Sequence, residues 1–271
     1  MHKDTKVASC YFDKRGYLTQ VIKVYNEEHL PVIAQKNTLM NLQKWISMRL
    51  TSKERTDLAE LLTVYDEELL NTLHATSLFD CYWFCDEDTA TWDDVNPYKH
   101  FDNNLDLVEQ LLLSPSVSME MLPSSSPNLT IPGSKTQYWY KNGGSLYLLF
   151  LNAKQEMNAY NKVKNKDFPV SEMEYFIYKS QLFAKKKMLV SDTMEYIPFE
   201  EYYVLFEKNQ KHNRYQKLLD CCEHFNIPES KEFFIKMMEY DTLTNNDDRE
   251  LNDIGVLRNP DTLEIVSFHT L

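Results

Sequence analysis

The order of apolar and polar positions divides the chain into runs of different period. Residues 6–24, KVASCYFDKRGYLTQVIKV, form two β-rich runs around Asp13-Lys14-Arg15-Gly16, which predicts a hairpin. From Asn37 to about His74 the period turns helical: Leu39, Leu42, Trp45 and Ile46, then Leu58, Leu61, Leu62 and Leu69, recur at steps of three and four. The stretch LFDCYWFCDEDTATWDDVNPYKHFDNN is dense in aromatics and aspartate and suits a packed irregular segment. Residues 114–128, SPSVSMEMLPSSSPN, are rich in Ser and Pro and read as a linker or surface loop.

Beyond that loop, TQYWYKNGGSLYLLFL alternates around Asn142-Gly143-Gly144, residues that accept positive φ, and predicts a second hairpin. Ser171 can cap a helix over SEMEYFIYKSQLFA, with Met173, Phe176, Ile177 and Leu182 as its stripe, so a helix is predicted from Ser171 to Ala184. EYIPFEEYYVLFE, residues 195–207, returns to strand composition. After Gln210 the pattern is helical through KHNRYQKLLDCCEHF and, beyond Pro228, SKEFFIKMMEYDTLT. The expected class is α+β: an N-terminal hairpin-plus-helices subdomain over 1–113, the linker 114–128, a β-lobe over 129–208 and a partial helical lobe over 209–271.

A chain of 271 residues with 43% hydrophobic content can bury one large core or two modest ones. Its net charge of −12 disfavours general affinity for nucleic acid or anionic membrane and permits basic partners. Five cysteines, two of them adjacent (Cys221, Cys222), make a poor disulfide framework and fit a reducing compartment. The N-terminal run has no apolar core of signal-peptide length, and no stretch approaches the roughly 18 apolar residues of a membrane span, so the expectation is a soluble, cytoplasmic protein. Five glycines are far below the roughly 7% of average usage, and neither G-x-G-x-x-G nor G-x-x-x-x-G-K-[ST] occurs. Cys81-x-x-x-Cys85 lacks a second Cys/His pair at zinc-finger spacing, and the Cys221-Cys222 pair with His224 reads as packing rather than as a thiol nucleophile.

One segment combines features that fit together. In NNDDRELNDIG, residues 245–255, Asp253 follows Asp248 by five positions, the spacing at which kinase catalytic loops place a base and a metal ligand. A preceding helix carrying Phe233, Phe234, Met237, Met238 and Leu243 would pack and end at Asn245-Asn246. Asp248 could then accept a proton from a hydroxyl and Asp253 could bind magnesium; a solvated acidic turn is the alternative.

The run MMEYDTLTNNDDRELNDIGVLRNPDTLE resembles the catalytic-loop region of HipA-like serine/threonine kinases, the kinase toxins of bacterial toxin–antitoxin modules and their relatives in Firmicutes; Met237, Asp241, Leu243, Asn246, Asp248, Arg249, Gly255, Leu257 and Arg258 match the pattern. Upstream, SLFDCYWF, WDDVNPYKHFDN and SPNLTIPGSKTQYW are similar to further family motifs in the same order. The resemblance implies a protein-kinase-like β-lobe followed by the start of a helical lobe. It also implies a nucleotide site involving Gly133, Lys135, Lys154 and Glu172, with Asp248 as base and Asp253 as metal ligand.

The departures from that pattern shape the functional expectation. Where the family has a lysine for the ATP phosphates at the end of the strand after the hairpin, this chain has Phe150; Lys154 lies four residues further on, and Glu172 is left without its lysine partner. The family's histidine after Asp-Arg is Glu250, its asparagine metal ligand is Asp253, and the chain stops at IVSFHTL without the further metal-binding aspartate. The expectation is therefore a degenerate pseudokinase with vestigial site residues, needing no cofactor and acting on a protein partner as regulator or decoy in a bacterium or mobile element. A residual Ser/Thr kinase using ATP and Mg, with Lys135 or Lys154 recruited to the phosphates, is one alternative. An acidic inhibitor that mimics nucleic acid is another; direct nucleic-acid or membrane binding is not expected.

Overall fold

The computed structural model describes residues 1–14, 17–49, 74–85, 90–101, 127, 131, 137–151, 154–178, 181–206, 213–247 and 249–270. These form an α+β assembly of three small antiparallel sheets with helices packed on and between them. None of the described helices is long and apolar enough to cross a membrane.

Strands β1 (Ala8–Phe12) and β2 (Leu18–Val24) form the predicted N-terminal hairpin. Its inner face meets helix α1 (Thr38–Arg49) through a cluster of Leu18, Leu42, Trp45, Ile46 and Tyr82, while Leu39, expected in the stripe, stays exposed. The second half of the predicted helical region lies outside the described residues, as does the Ser/Pro-rich stretch apart from buried Pro127. Two short helices, α2 (Trp92–Val95) and α3 (Pro97–His100), follow; Thr91 and Asp94 close a reciprocal capping box on the first.

The second sheet runs β3-β4-β6-β5, from β3 (Gln137–Asn142), β4 (Ser145–Leu151), β5 (Met173–Tyr178) and β6 (Gln181–Met188). Its first hairpin turns at Gly143 and Gly144, whose φ values of 56° and 82° are the left-handed geometry expected of that sequence. The helix predicted from Ser171 to Ala184 is instead the β5–β6 hairpin, in full antiparallel register from Met173↔Lys186 to Tyr178↔Gln181. MEYFIY is apolar at steps of two as well as three and four, and pairing against β6 decides for the strand. The helix of this region lies earlier, as α4 (Lys154–Val163), which lays Met157 and Tyr160 on the sheet.

The third sheet, β7 (Glu195–Pro198), β8 (Ile254–Arg258) and β9 (Ile265–Thr270), packs on helices α5 (Phe199–Leu205), α6 (Arg214–His224) and α7 (Ser230–Thr244). Residues 195–207 are thus not one strand. Pro198 ends β7 and precedes a helix whose first turn carries Glu200 and Glu201, where carboxylates favour the helix dipole. Phe233 stacks on Phe268 with ring centroids 4.3 Å apart, and Cys221 and Cys222 are fully buried in the same cluster. Burial pushes the Cys221 thiol up to about 12, so it stays protonated and inert at neutral pH.

A polar network crosses this core. Glu195, fully buried on β7, takes Arg258 Nε at 2.7 Å and Nη2 at 2.6 Å on one oxygen, and His2 Nε2 at 3.2 Å and the Cys81 amide at 3.4 Å on the other. Arg258 also donates to the Tyr82 hydroxyl at 3.1 Å. Burial alone would raise the Glu195 carboxyl; Arg258 and His2 outweigh it and hold it down at about 2. Close by, Arg49 joins α1 to Asp80 at 2.5 Å and to the carbonyls of Ala75 and Tyr82. Glu201 is also buried, where its Oε2 accepts the Ile33 amide at 3.1 Å, and desolvation raises its carboxyl to about 7.

Two stability measurements follow. Arg258→Met leaves the Glu195 charge buried without its strongest partner, and the expected cost in urea denaturation at neutral pH is about 3–5 kcal/mol; a loss below about 1 kcal/mol contradicts the network's role. Glu201 binds its proton more tightly folded than unfolded, so its contribution is complete below pH 4.5 and is lost as pH rises to about 7. Glu201→Gln removes that slope, gaining about 3 kcal/mol over the parent between pH 4.5 and 8 in paired denaturation curves.

Candidate functional site

The loop singled out in the sequence connects α7 to β8, as its turn chemistry predicts. Helix α7 ends at Asn245, which adopts the left-handed conformation (φ 57°) as C-cap and returns its amide to the Asp241 carbonyl. The Asp241 carboxylate then gathers the loop: Oδ1 accepts from Asn246 Nδ2 at 2.9 Å and from Arg249 Nη2 at 2.7 Å, while Arg249 Nε lies 3.2 Å away. The guanidinium also sits 5.8 Å from the Tyr240 ring centroid. Asp241 was recognised in the sequence only as a matched position; its organising role follows from the asparagine turn that folds Arg249 back on the helix end. On α7 itself, Phe233, Phe234 and Met237 are buried, whereas Met238 and Leu243, expected to pack, are exposed on the other side with Ile235.

Asp248 lies outside the described residues, as do Gly133 and Lys135. Asp253 closes a tight reciprocal turn: its Oδ2 accepts the Glu250 amide at 3.0 Å and its own amide reaches the Glu250 carbonyl at 3.3 Å. Gly255, at the start of β8, sits against β7. A Cβ there would come within 2.4 Å of the Tyr196 ring and 2.5 Å of the Ile197 carbonyl oxygen, closer than atoms pack. The Tyr196 hydroxyl in turn donates to the Asn252 carbonyl at 3.4 Å, so one ring holds both the glycine and the loop before it.

On the four-stranded sheet, Phe150, where the resemblance implies a phosphate lysine, lies one residue before the end of β4. Its ring belongs to an apolar cluster with Met157 and Tyr160 of α4, Ala184 of β6 and Met173 of β5. Lys154 is the first residue of α4 rather than an extension of the strand, and it is exposed. Glu172 lies ahead of β5, also exposed, with its carboxylate 3.5 Å from Lys187 Nζ. Of the residues expected in one nucleotide site, the described ones stand at a helix start (Lys154), ahead of a strand (Glu172) and in the loop before β8 (Asp253).

The sheet does carry cations that the sequence reading missed. The helix predicted from Ser171 ends at Ala184, and the lysines that follow carry no expectation; in β6, Lys185 and Lys186 are both buried and alternate to opposite faces. Lys185 Nζ pairs with Glu174 at 2.6 Å and lies 4.5 Å and 5.6 Å from the ring centroids of Tyr147 and Phe176. Lys186 shares the other face with Leu148 and, through the Phe150↔Ala184 pair, with Phe150. Near it on β9, His269 is buried against the Ser171 hydroxyl at 2.8 Å; burial, aided by the Lys186 charge, lowers the imidazole to about 3 and keeps it neutral.

No protein-family model matches the chain, and no curated protein matches it. Among solved structures, that of a Helicobacter pylori proinflammatory kinase, CtkA, is similar to this chain at 21% identity with a TM-score of 0.41, over 49% of this chain and 53% of that one. The chain thus spans about half the length of that neighbour, an overlap too low to establish a common fold.

Replacing Gly255 by alanine forces its methyl into Tyr196 and the Ile197 carbonyl. The expected loss of stability is roughly 1–3 kcal/mol by denaturation; because the Ile197 carbonyl stays in place, combining it with Tyr196→Leu relieves only the ring's share, and strictly additive losses contradict the ring contact.

Proposed function

We propose that this chain is a degenerate relative of HipA-like kinases that has given up phosphoryl transfer and acts by binding a protein partner. The observation that carries the reading is Phe150. Phosphoryl transfer depends on positioned positive charge around the phosphates, since the protein contributes little covalent chemistry. At the strand position where the family pattern supplies that charge, this chain has an aromatic ring packed against Met157, Tyr160, Met173 and Ala184. A lysine there would have to desolvate its ammonium among apolar groups, so restoring the cation also requires repacking the cluster. Support also comes from Asp253, whose carboxylate is engaged in its own turn with Glu250, and from Lys154 and Glu172, which face solvent away from that cluster. A regulatory or decoy role, in a toxin–antitoxin setting or a mobile element, accords with a chain that retains the matched motifs in order.

One observation favours the second reading, a residual ATP-dependent Ser/Thr kinase. Lys186 places a buried cation on the same sheet face as Phe150, one strand across. In that reading Lys186, rather than Lys135 or Lys154, meets the phosphates, and Asp248 acts as base.

Calorimetric titration of the purified chain with ATP and magnesium separates the two. The pseudokinase reading expects no heat of binding at micromolar nucleotide for the parent or for Lys186→Met. Magnesium-dependent binding by the parent that Lys186→Met weakens about tenfold or more overturns it in favour of the kinase.

A further inference from the structure

The outer face of the β1–β2 hairpin combines exposed apolar side chains with cations. Tyr11, Tyr17 and Ile22 are 61%, 63% and 60% exposed, and Tyr25 closes the far end. The exposure of Ile22 is built into the pairing: register runs from Ser9↔Lys23 to Cys10↔Val21, so Ile22 is the extra residue of a β-bulge. Its neighbours Cys10, Phe12, Leu18 and Val21 pack inward. Around the exposed residues lie cations. Lys6 and Lys23 sit 5.2 Å and 4.7 Å from the Tyr25 ring centroid, and Ser9 donates to the Tyr25 hydroxyl at 3.1 Å. Residues 6–25 contain four cations, Lys6, Lys14, Arg15 and Lys23, against the single carboxylate Asp13, in a chain whose net charge is −12.

The opposite charge begins where the hairpin does. Asp4 accepts the Trp92 amide at 3.1 Å, Asp192 accepts the Trp92 indole N–H at 2.9 Å, and Asp261 meets Lys3 at 2.8 Å. Asp93, paired with Lys99, and Asp94, which accepts from Thr91, the cap of α2, are exposed on the first turn of that helix and extend the group. An apolar, basic face and an acidic one therefore adjoin through residues 4–6 of the chain. This is the arrangement in which a two-fold axis sets each face of one molecule against the other face of the next, since an isologous contact needs a surface complementary to itself.

We propose that this double face is the interface of a salt-sensitive homodimer, with Tyr11 and Ile22 as its apolar anchors and the hairpin lysines set against the partner copy's carboxylates. Tyrosine is a preferred anchor at interfaces, and charge complementarity supplies register and encounter rate. A single-stranded nucleic acid fits the face less well. The Tyr25 ring is already engaged by two lysines, and the branched aliphatic Ile22 offers no base a stacking surface. This inference stands apart from the reading of the phosphate site, since dimerisation and nucleotide binding are measured independently.

Sedimentation equilibrium of the full chain tests it. At about 50 mM NaCl the expected result is a monomer–dimer equilibrium in the micromolar range, weakened about tenfold or more at about 500 mM. Tyr11→Ser with Ile22→Ser is expected to be monomeric at both salts, and Lys23→Glu to weaken the dimer about tenfold at low salt only, each keeping the parent circular dichroism spectrum. A chain that is monomeric at every concentration overturns the proposal. So does a dimer indifferent to these substitutions, or a monomer that binds a fluorescein-labelled oligouridine through the same hairpin.

Discussion

The buried pair of Glu195 and Arg258 is the constraint on which the remainder of the structure depends. The two residues lie on adjacent strands, Glu195↔Arg258 in register, and both are cut off from water. An ion pair in such a place contributes little net stability relative to an apolar pair, because each ion forfeits its hydration. Its consequence is specificity: once either charge is buried, any arrangement that separates the two is heavily penalised. The second oxygen of Glu195 extends that demand to His2 and the Cys81 amide, and Arg258 extends it to Tyr82. The N-terminal segment, the aromatic stretch around residue 81 and the third sheet are tied at one point.

From that point the candidate site inherits its geometry. Arg258 ends the strand that Gly255 begins, and Gly255 lies against the Tyr196 ring, next to Glu195 in sequence. Tyr196 in turn holds the Asn252 carbonyl, and Asp241 clamps Arg249 and Asn246 at the other end of the loop. The loop between α7 and β8 is therefore well anchored on both sides. On the second sheet, Phe150 packs with Met157 and Tyr160 of α4.

Local chemistry made much of this legible. The Asn142-Gly143-Gly144 turn and the Asn245 helix end were readable because positive φ favours those residues wherever they occur. The β5–β6 hairpin was not, because MEYFIY satisfies both periods and only its neighbours β6 and α4 choose between them. Lys185 and Lys186 lie just past the end of that predicted helix, and only the pairing of β6 shows that they are buried on opposite faces. The Glu195–Arg258 pair joins residues 63 apart and had no local signature. Likewise the need for Gly255 is dictated by Tyr196, a contact across strands rather than a turn.

On the proposed function, the chain binds a protein partner and transfers no phosphate. Incubation of the purified protein with γ-labelled ATP, magnesium and a general Ser/Thr substrate protein tests it most directly, with Asp248→Ala alongside. The account predicts no label on the chain or the substrate above the level of the variant. Label that the parent transfers and Asp248→Ala does not would contradict it.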